Sequence, residues 1–261
     1  MTKPEAVEGP NKDREDFVAL PLLTHLVEFR RRFIYALCAV GGGFCVCYFF
    51  APEIYAFLVR PLAAATEGEP RRLIYTGLSE AFITYIKLGL WGGGIVAFPV
   101  IAAQIWFYIA PGLYRAEKRA LLPFLIAAPV LFVAGAAMAY YIVFPMAWKF
   151  FLSFEMPGVA GGLPIQLEAR VSEYLSLSMS IIFAFGLAFQ LPVVLVLLVR
   201  ARILSAAQLS QFRRYAIVLI FVIAAVLTPP DVISQISLAL PLMALYEAAL
   251  WAARFVEKGN R

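Results

Sequence analysis

Long stretches of this chain carry no charged side chain. Residues 33–50, 121–144 and 174–199 contain none. Such runs match the ~20 residues that a helix needs to cross the hydrocarbon core of a bilayer. Inside that core an unpaired backbone group has no water to bond, so only helices and closed barrels can span it. A barrel requires many segments of alternating polarity, and the chain lacks them. The sequence therefore predicts an all-α membrane protein. Composition agrees: 62% of the 261 residues are hydrophobic and only 15% are charged, with a mean hydropathy of +0.82. A soluble domain would have to expose large apolar patches to hold this much apolar residue.

Six spans are predicted, at about 33–50, 82–109, 121–144, 174–199, 215–227 and 233–253. Residues 1–16 hold five acidic and three basic side chains and read as a flexible tail. Residues 17–254 form one membrane domain headed by an interfacial helix, and 255–261 form a second tail. An even number of spans leaves both termini on one side. That side carries Lys3, Lys12, Arg14, Arg30, Arg31, Arg32, Arg115, Lys118, Arg119, Arg200, Arg202, Arg213, Arg214, Arg254, Lys258 and Arg261, sixteen of the 22 basic residues. The positive-inside rule places it in the cytoplasm. The external connections, 51–81 and 145–173, are the longer ones and contain amphipathic stretches that predict caps.

The fifth span is short. Thirteen residues from Tyr215 to Leu227 rise roughly 20 Å against a ~30 Å core. Thr228, Pro229, Pro230 and Asp231 then force a tight external turn, and Gln235 lies in the polar first turn of the sixth span. Gly41, Gly42, Gly43, the Gly89…Gly93 pair and Gly135…Ala139 permit close helix crossings. Pro99, Pro129, Pro192 and Pro241 lie within spans and predict kinks. Cys38, Cys45 and Cys47 share the first apolar run without a CxxC pair and read as small hydrophobic residues of a helix. His25, the one histidine, makes a histidine-rich metal site unsupported. The net charge of +5 fits basic loops facing anionic lipid, with no nucleic acid implied.

Three constellations stand out. Leu22, Leu26, Phe29 and Phe33 share one face of a helix that leads into the first span, with Thr24, Glu28, Arg31 and Arg32 opposite. Glu28 is a carboxylate at the headgroup boundary. It can accept a guanidinium in bidentate fashion, or pair with its own Arg31 or Arg32. Next, Gln104, Trp106, Tyr108, Pro111, Gly112, Leu113, Tyr114 and Glu117 end the second span. The aromatics read as an interface belt, and Glu117 is either a second ligand carboxylate or a partner of Lys118 or Arg119. Last, Gln190 lies near mid-bilayer two residues before Pro192, where an amide must bond a neighbouring helix or a ligand. Nucleotide-binding loops, zinc-protease motifs, nucleophile elbows and regularly spaced intramembrane charges are absent, which argues against an enzyme or a voltage sensor. The lack of an internal repeat weighs against a secondary transporter.

These stretches together resemble the TatC family, the multi-spanning core of the twin-arginine protein translocase. The resemblance rests on Thr24-His25-Leu26-Val27-Glu28-Phe29-Arg30, on Leu78-Ser79-Glu80-Ala81-Phe82, and on Pro99…Gln104…Phe107…Pro111-Gly112-Leu113-Tyr114…Glu117. It rests also on Thr228-Pro229-Pro230-Asp231…Ser234-Gln235, then Pro241 and Tyr246-Glu247. It implies six helices in a curved, glove-like bundle in the cytoplasmic (inner) membrane. It also implies a receptor for twin-arginine signal peptides of folded precursors, driven by the proton-motive force and free of cofactors. Glu28 and Glu117 match the family's two glutamates that contact the paired arginines, with Arg30, Tyr108 and Leu113 beside them. Gln104, Gln190, Thr228 and Gln235 are the polar positions implied for partner contact. Implied partners are single-span subunits of TatA and TatB type, the lipid bilayer and further copies of the chain. Tyr108 stands where some members carry Phe. Gln190 stands where some carry Glu, which removes an ionisable group.

Overall fold

The computed structural model describes residues 12–66, 72–109, 122–156, 163–201, 203–227 and 232–259. Leu113, Glu117, Thr228, Pro229, Pro230 and Asp231 lie outside the described residues. Ten helices are described: α1 Lys12–Phe49, α2 Ala51–Ala65, α3 Glu80–Ile109, α4 Leu122–Met138, α5 Phe144–Leu152, α6 Val171–Ala188, α7 Leu191–Arg200, α8 Ala206–Gln211, α9 Arg213–Leu227 and α10 Val232–Gly259. Five stretches are long and apolar enough to cross a bilayer: His25–Phe49, Glu80–Tyr108, Pro123–Leu152, Val171–Arg200 and Gln235–Phe255. The predicted fifth span corresponds to α9. Its 15 residues rise about 22 Å, short of the ~30 Å core.

The interfacial helix and first span are one uninterrupted helix. It begins at Lys12, inside the predicted tail, and α10 likewise runs beyond residue 254 to Gly259. α1 and α3 lie antiparallel and meet backbone to backbone. A Cβ on Gly93 would stand 2.5 Å from the Phe44 nitrogen, and one on Gly43 would stand 2.7 Å from the Gly93 carbonyl oxygen. Of the predicted glycine run, only Gly43 makes this approach, because Gly41 and Gly42 face open space. α4 and α6 approach similarly: a Cβ on Gly135 would lie 2.5 Å from the Phe185 carbonyl oxygen.

The third span was expected to end at residue 144. It continues to Leu152 through a π-helical turn, Ala139–Val143, in which the Phe144 N–H donates to the Ala139 carbonyl five residues back. Proline lacks an N–H and ends most helices at such a point. Here the widened turn comes first, and Pro145 falls in the first turn of α5, where its missing donor costs least. Pro192 does break its helix, since α6 ends at Ala188 and α7 starts at Leu191 with the proline in its first turn. α3, α4 and α10 carry Pro99, Pro129 and Pro241 internally.

The connection after α1, predicted to be external, begins with α2. α2 carries Pro61 internally, which deprives the Phe57 carbonyl of its helical donor. The Tyr140 hydroxyl donates to that oxygen at 2.8 Å, and the Tyr174 hydroxyl donates to the Leu58 carbonyl at 2.7 Å. Phe57 and Tyr140 also stack with centroids 4.1 Å apart. At the start of α3, Glu80 Oε2 accepts from the Thr76 and Gly77 N–H groups at 2.9 and 3.2 Å. Ser172 Oγ donates to Glu80 Oε1 at 2.5 Å, and Arg170 reaches both Glu80 and Thr76. One carboxylate thereby caps α3 and ties it to the beginning of α6.

The main core gathers α2, the π turn, α5, α6, α9 and α10 around Phe144, Phe185, Leu238 and Leu250, each at most 1% exposed. A second core between α3, α4 and α7 holds Phe98, Trp106, Phe132 and Val193. Trp106 therefore lies inside the bundle, against Phe124, and does not join the predicted interface belt. At the Arg213 end of α9, Arg213 bonds Glu247 of α10 at 2.8 Å and the Tyr246 hydroxyl donates to the Leu209 carbonyl at 2.7 Å. Cys38 and Cys45 are exposed and Cys47 is buried against Gly92, all as free thiols.

The crossing at Gly93 makes a direct prediction. Gly93→Ala places a methyl group against backbone and should destabilise the protein by about 1–3 kcal/mol. Gly42→Ala, in open space, should be neutral or slightly stabilising. Thermal unfolding in detergent compares the two. Equal melting temperatures would show that α1 and α3 do not meet there.

Candidate signal-peptide groove

Toward Lys12 from the Gly43–Gly93 contact, side chains replace backbone at the α1–α3 seam and a groove opens. It has a volume of about 350 Å³ and is lined by Phe29, Arg32, Phe33, Ala36, Leu37, Val40, Ile101, Gln104, Ile105 and Tyr108. The antiparallel register places Phe29 beside Tyr108, with ring centroids 5.6 Å apart. His25 stacks on the same Tyr108 ring at 4.4 Å. Leu26, Phe29 and Phe33, the predicted apolar face, are all at least half exposed. A soluble protein would cover such a face.

Glu28 stands at the polar margin of this groove. It bonds its own Arg32, one of the alternatives left open by the sequence. Arg32 Nη2 and Nε donate to Glu28 Oε1 at 2.6 and 3.0 Å. Both side chains keep 25–30% of their surface, so the pair is accessible from outside. The Arg32 guanidinium also lies 5.6 Å from the Phe107 ring centroid, close enough for a cation–π contact. Arg31 turns away and donates to the Tyr35 hydroxyl.

Of the residues singled out from sequence, Gln104 and Tyr108 line the groove, and Glu28 adjoins it through its bond to Arg32. Arg30 is exposed and does not line the groove. Residues two apart on a helix point to different faces, whereas i and i+4 share one. That spacing was the signal for Arg32, and the aromatic stack on His25 was the contact that sequence reasoning missed.

Gln190 and Gln235 serve as ties between helices. Gln190 Nε2 donates to the Ala128 carbonyl of α4 at 2.9 Å and more weakly to Gly186 at 3.5 Å. Gln235 Nε2 donates to the Phe221 carbonyl across the α9–α10 hairpin at 3.3 Å. No group of three or more histidine, cysteine, aspartate or glutamate side chains that could hold a metal occurs among the described residues.

A helical bundle with several segments long and apolar enough to cross a membrane defines a polytopic membrane protein, and Arg32, the partner of Glu28, lines one of its apolar grooves. Comparison with known proteins narrows the class. The profile described as "Sec-independent protein translocase protein (TatC)" matches residues 24–241. A protein of that name from Rickettsia prowazekii is 45% identical over 233 residues, covering 89% of this chain and 92% of the relative. The Escherichia coli protein of the same name is 38% identical over 241 residues, covering 92% and 91%. A crystal structure described as the twin arginine translocase receptor TatC aligns with a TM-score of 0.73 at 36% identity, covering 89% of this chain and 99% of that one. The chain belongs to the TatC family, a family of protein-transport components rather than enzymes.

Gln190→Met keeps the volume of the side chain and removes the amide. Interhelical hydrogen bonds in membranes average about 0.6 kcal/mol. The variant should lose stability on that scale in detergent unfolding, and a loss several times larger would mean the amide does more than tie two helices.

Proposed function

We propose that the protein is the signal-peptide receptor and core subunit of a twin-arginine export complex. The observation that carries this reading is the Glu28 carboxylate at the margin of the apolar α1–α3 groove. A twin-arginine signal offers guanidiniums followed by an apolar segment. A carboxylate beside an apolar trough is complementary to both parts. Arginine is favoured over lysine there because its planar fork engages two carboxylate oxygens and stays charged. Tyr108, Gln104 and the apolar lining support the segment that follows. By resemblance to the family, Glu117, Leu113 and Arg30 also contact the signal.

In this reading α9 counts as the fifth of six spans, and both termini are cytoplasmic in the inner membrane. Energy comes from the proton-motive force. Single-span subunits of TatA and TatB type dock on α6 to α10, where Gln190, Thr228 and Gln235 offer polar contacts, and copies of the chain associate in the receptor complex. The short α9 thins the bilayer locally beside the Thr228–Asp231 turn.

Replacing the Glu28 carboxylate by an amide, Glu28→Gln, should weaken binding of a twin-arginine signal peptide about tenfold or more, the scale of a lost charge-assisted bond. Export of a twin-arginine reporter should fall with it, and Glu117→Gln should act in the same direction. Full export by both variants contradicts the receptor assignment. Separately, inserting one apolar turn into α9 should impair export, and normal export would rule out a thinning role.

A further inference from the structure

The carboxylate proposed to receive the ligand's arginine already holds one. Arg32 places two nitrogens, Nη2 and Nε, on the single oxygen Glu28 Oε1, at 2.6 and 3.0 Å. This geometry leaves Oε2 outside the pair, so it falls short of the fork that sets one N–H on each carboxylate oxygen. Partly exposed pairs between residues four apart on one helix contribute little. A guanidinium arriving from outside can take both oxygens and make the stronger arrangement. Arg32 has somewhere to go when it leaves, because its guanidinium already lies 5.6 Å from the Phe107 ring centroid. The released cation then rests on an aromatic face at a partly exposed position, where the ring and water share its charge. A carboxylate left bare beside this apolar lining would carry a desolvation cost while the site is empty.

We propose that Arg32 is an internal stand-in for the ligand's guanidinium, so that signal-peptide binding at Glu28 proceeds as an exchange of one arginine for another. Arg32 is a positioning residue in this scheme: it keeps Glu28 oriented and covered until a better-matched guanidinium arrives. The inference rests on the reading of Glu28 as the acceptor.

The test titrates the purified full-length protein, in nanodiscs, with a fluorescent twin-arginine signal peptide. Arg32→Gln removes the competitor and should tighten binding about two- to fivefold. Arg31→Gln removes the same charge one residue away, from a side chain that bonds Tyr35 and not Glu28. It should change the affinity by clearly less. Arg32→Lys, which holds the carboxylate by a point contact, should tighten binding by a smaller factor, and it serves in place of Arg32→Gln if that variant fails to fold. Weaker binding by the Arg32 variants, or equal effects of Arg31→Gln and Arg32→Gln, overturns the exchange. Unaltered binding by Glu28→Gln overturns the exchange together with the acceptor assignment, whereas weaker binding by Glu28→Gln alongside either of the first two results leaves only the exchange refuted.

Discussion

The rest of the candidate site depends on one contact, the backbone approach of α1 and α3 at Gly43 and Gly93. A long row of α1 side chains, from Leu26 to Phe49, is exposed. The position of α1 is fixed mainly by α3. With no side chain at the crossing the two helices can share a seam, and their antiparallel register then sets every pairing toward Lys12. Phe29 meets Tyr108, and Arg32 meets Phe107. Large residues in those pairings hold the helices apart and leave the groove between them. The groove thus follows from where glycine stops and aromatic residues begin.

A second constraint acts on every proline. Apolar surroundings do not forgive an unpaired carbonyl, and at two of the prolines the structure shows how the helix is accommodated. Pro61 frees the Phe57 carbonyl and Tyr140 bonds it. Pro145 follows a π turn that lets the third span continue. At Pro192 the chain pauses between α6 and α7, and Gln190 in that pause ties α7 to α4. Side chains at or facing these interruptions, Tyr140 and Gln190, supply links between helices.

Much of this was legible in the sequence, and the limits have physical causes. Runs with at most one charged residue located the five long spans, because hydrocarbon disfavours charge whatever the tertiary packing. The break at Pro192, the interhelical bond of Gln190 and the Glu28–Arg32 pair follow from local spacing. The continuation through Pro145 did not, because the compensating π turn leaves no periodic signature. Neither did the burial of Trp106, whose place in a second core depends on α4 and α7. The Glu80 tie to Ser172 joins residues far apart in the chain, and no local pattern reports it. Arg30 is the arginine the sequence puts beside Glu28, and Arg32 takes that place because i and i+4 share a helix face whereas i and i+2 do not.

The central claim is that a precursor's twin-arginine segment lies in the α1–α3 groove with Glu28 at its margin. Site-specific photocrosslinking tests it most directly, with probes placed at Leu37 and Ile101 inside the groove and at Val194 on the exposed face of α7. The account predicts adducts to a twin-arginine precursor from Leu37 and Ile101, lost when Glu28 is replaced by glutamine, and none of comparable strength from Val194. Adducts that form equally from Val194, or groove adducts that persist without the carboxylate, would contradict it.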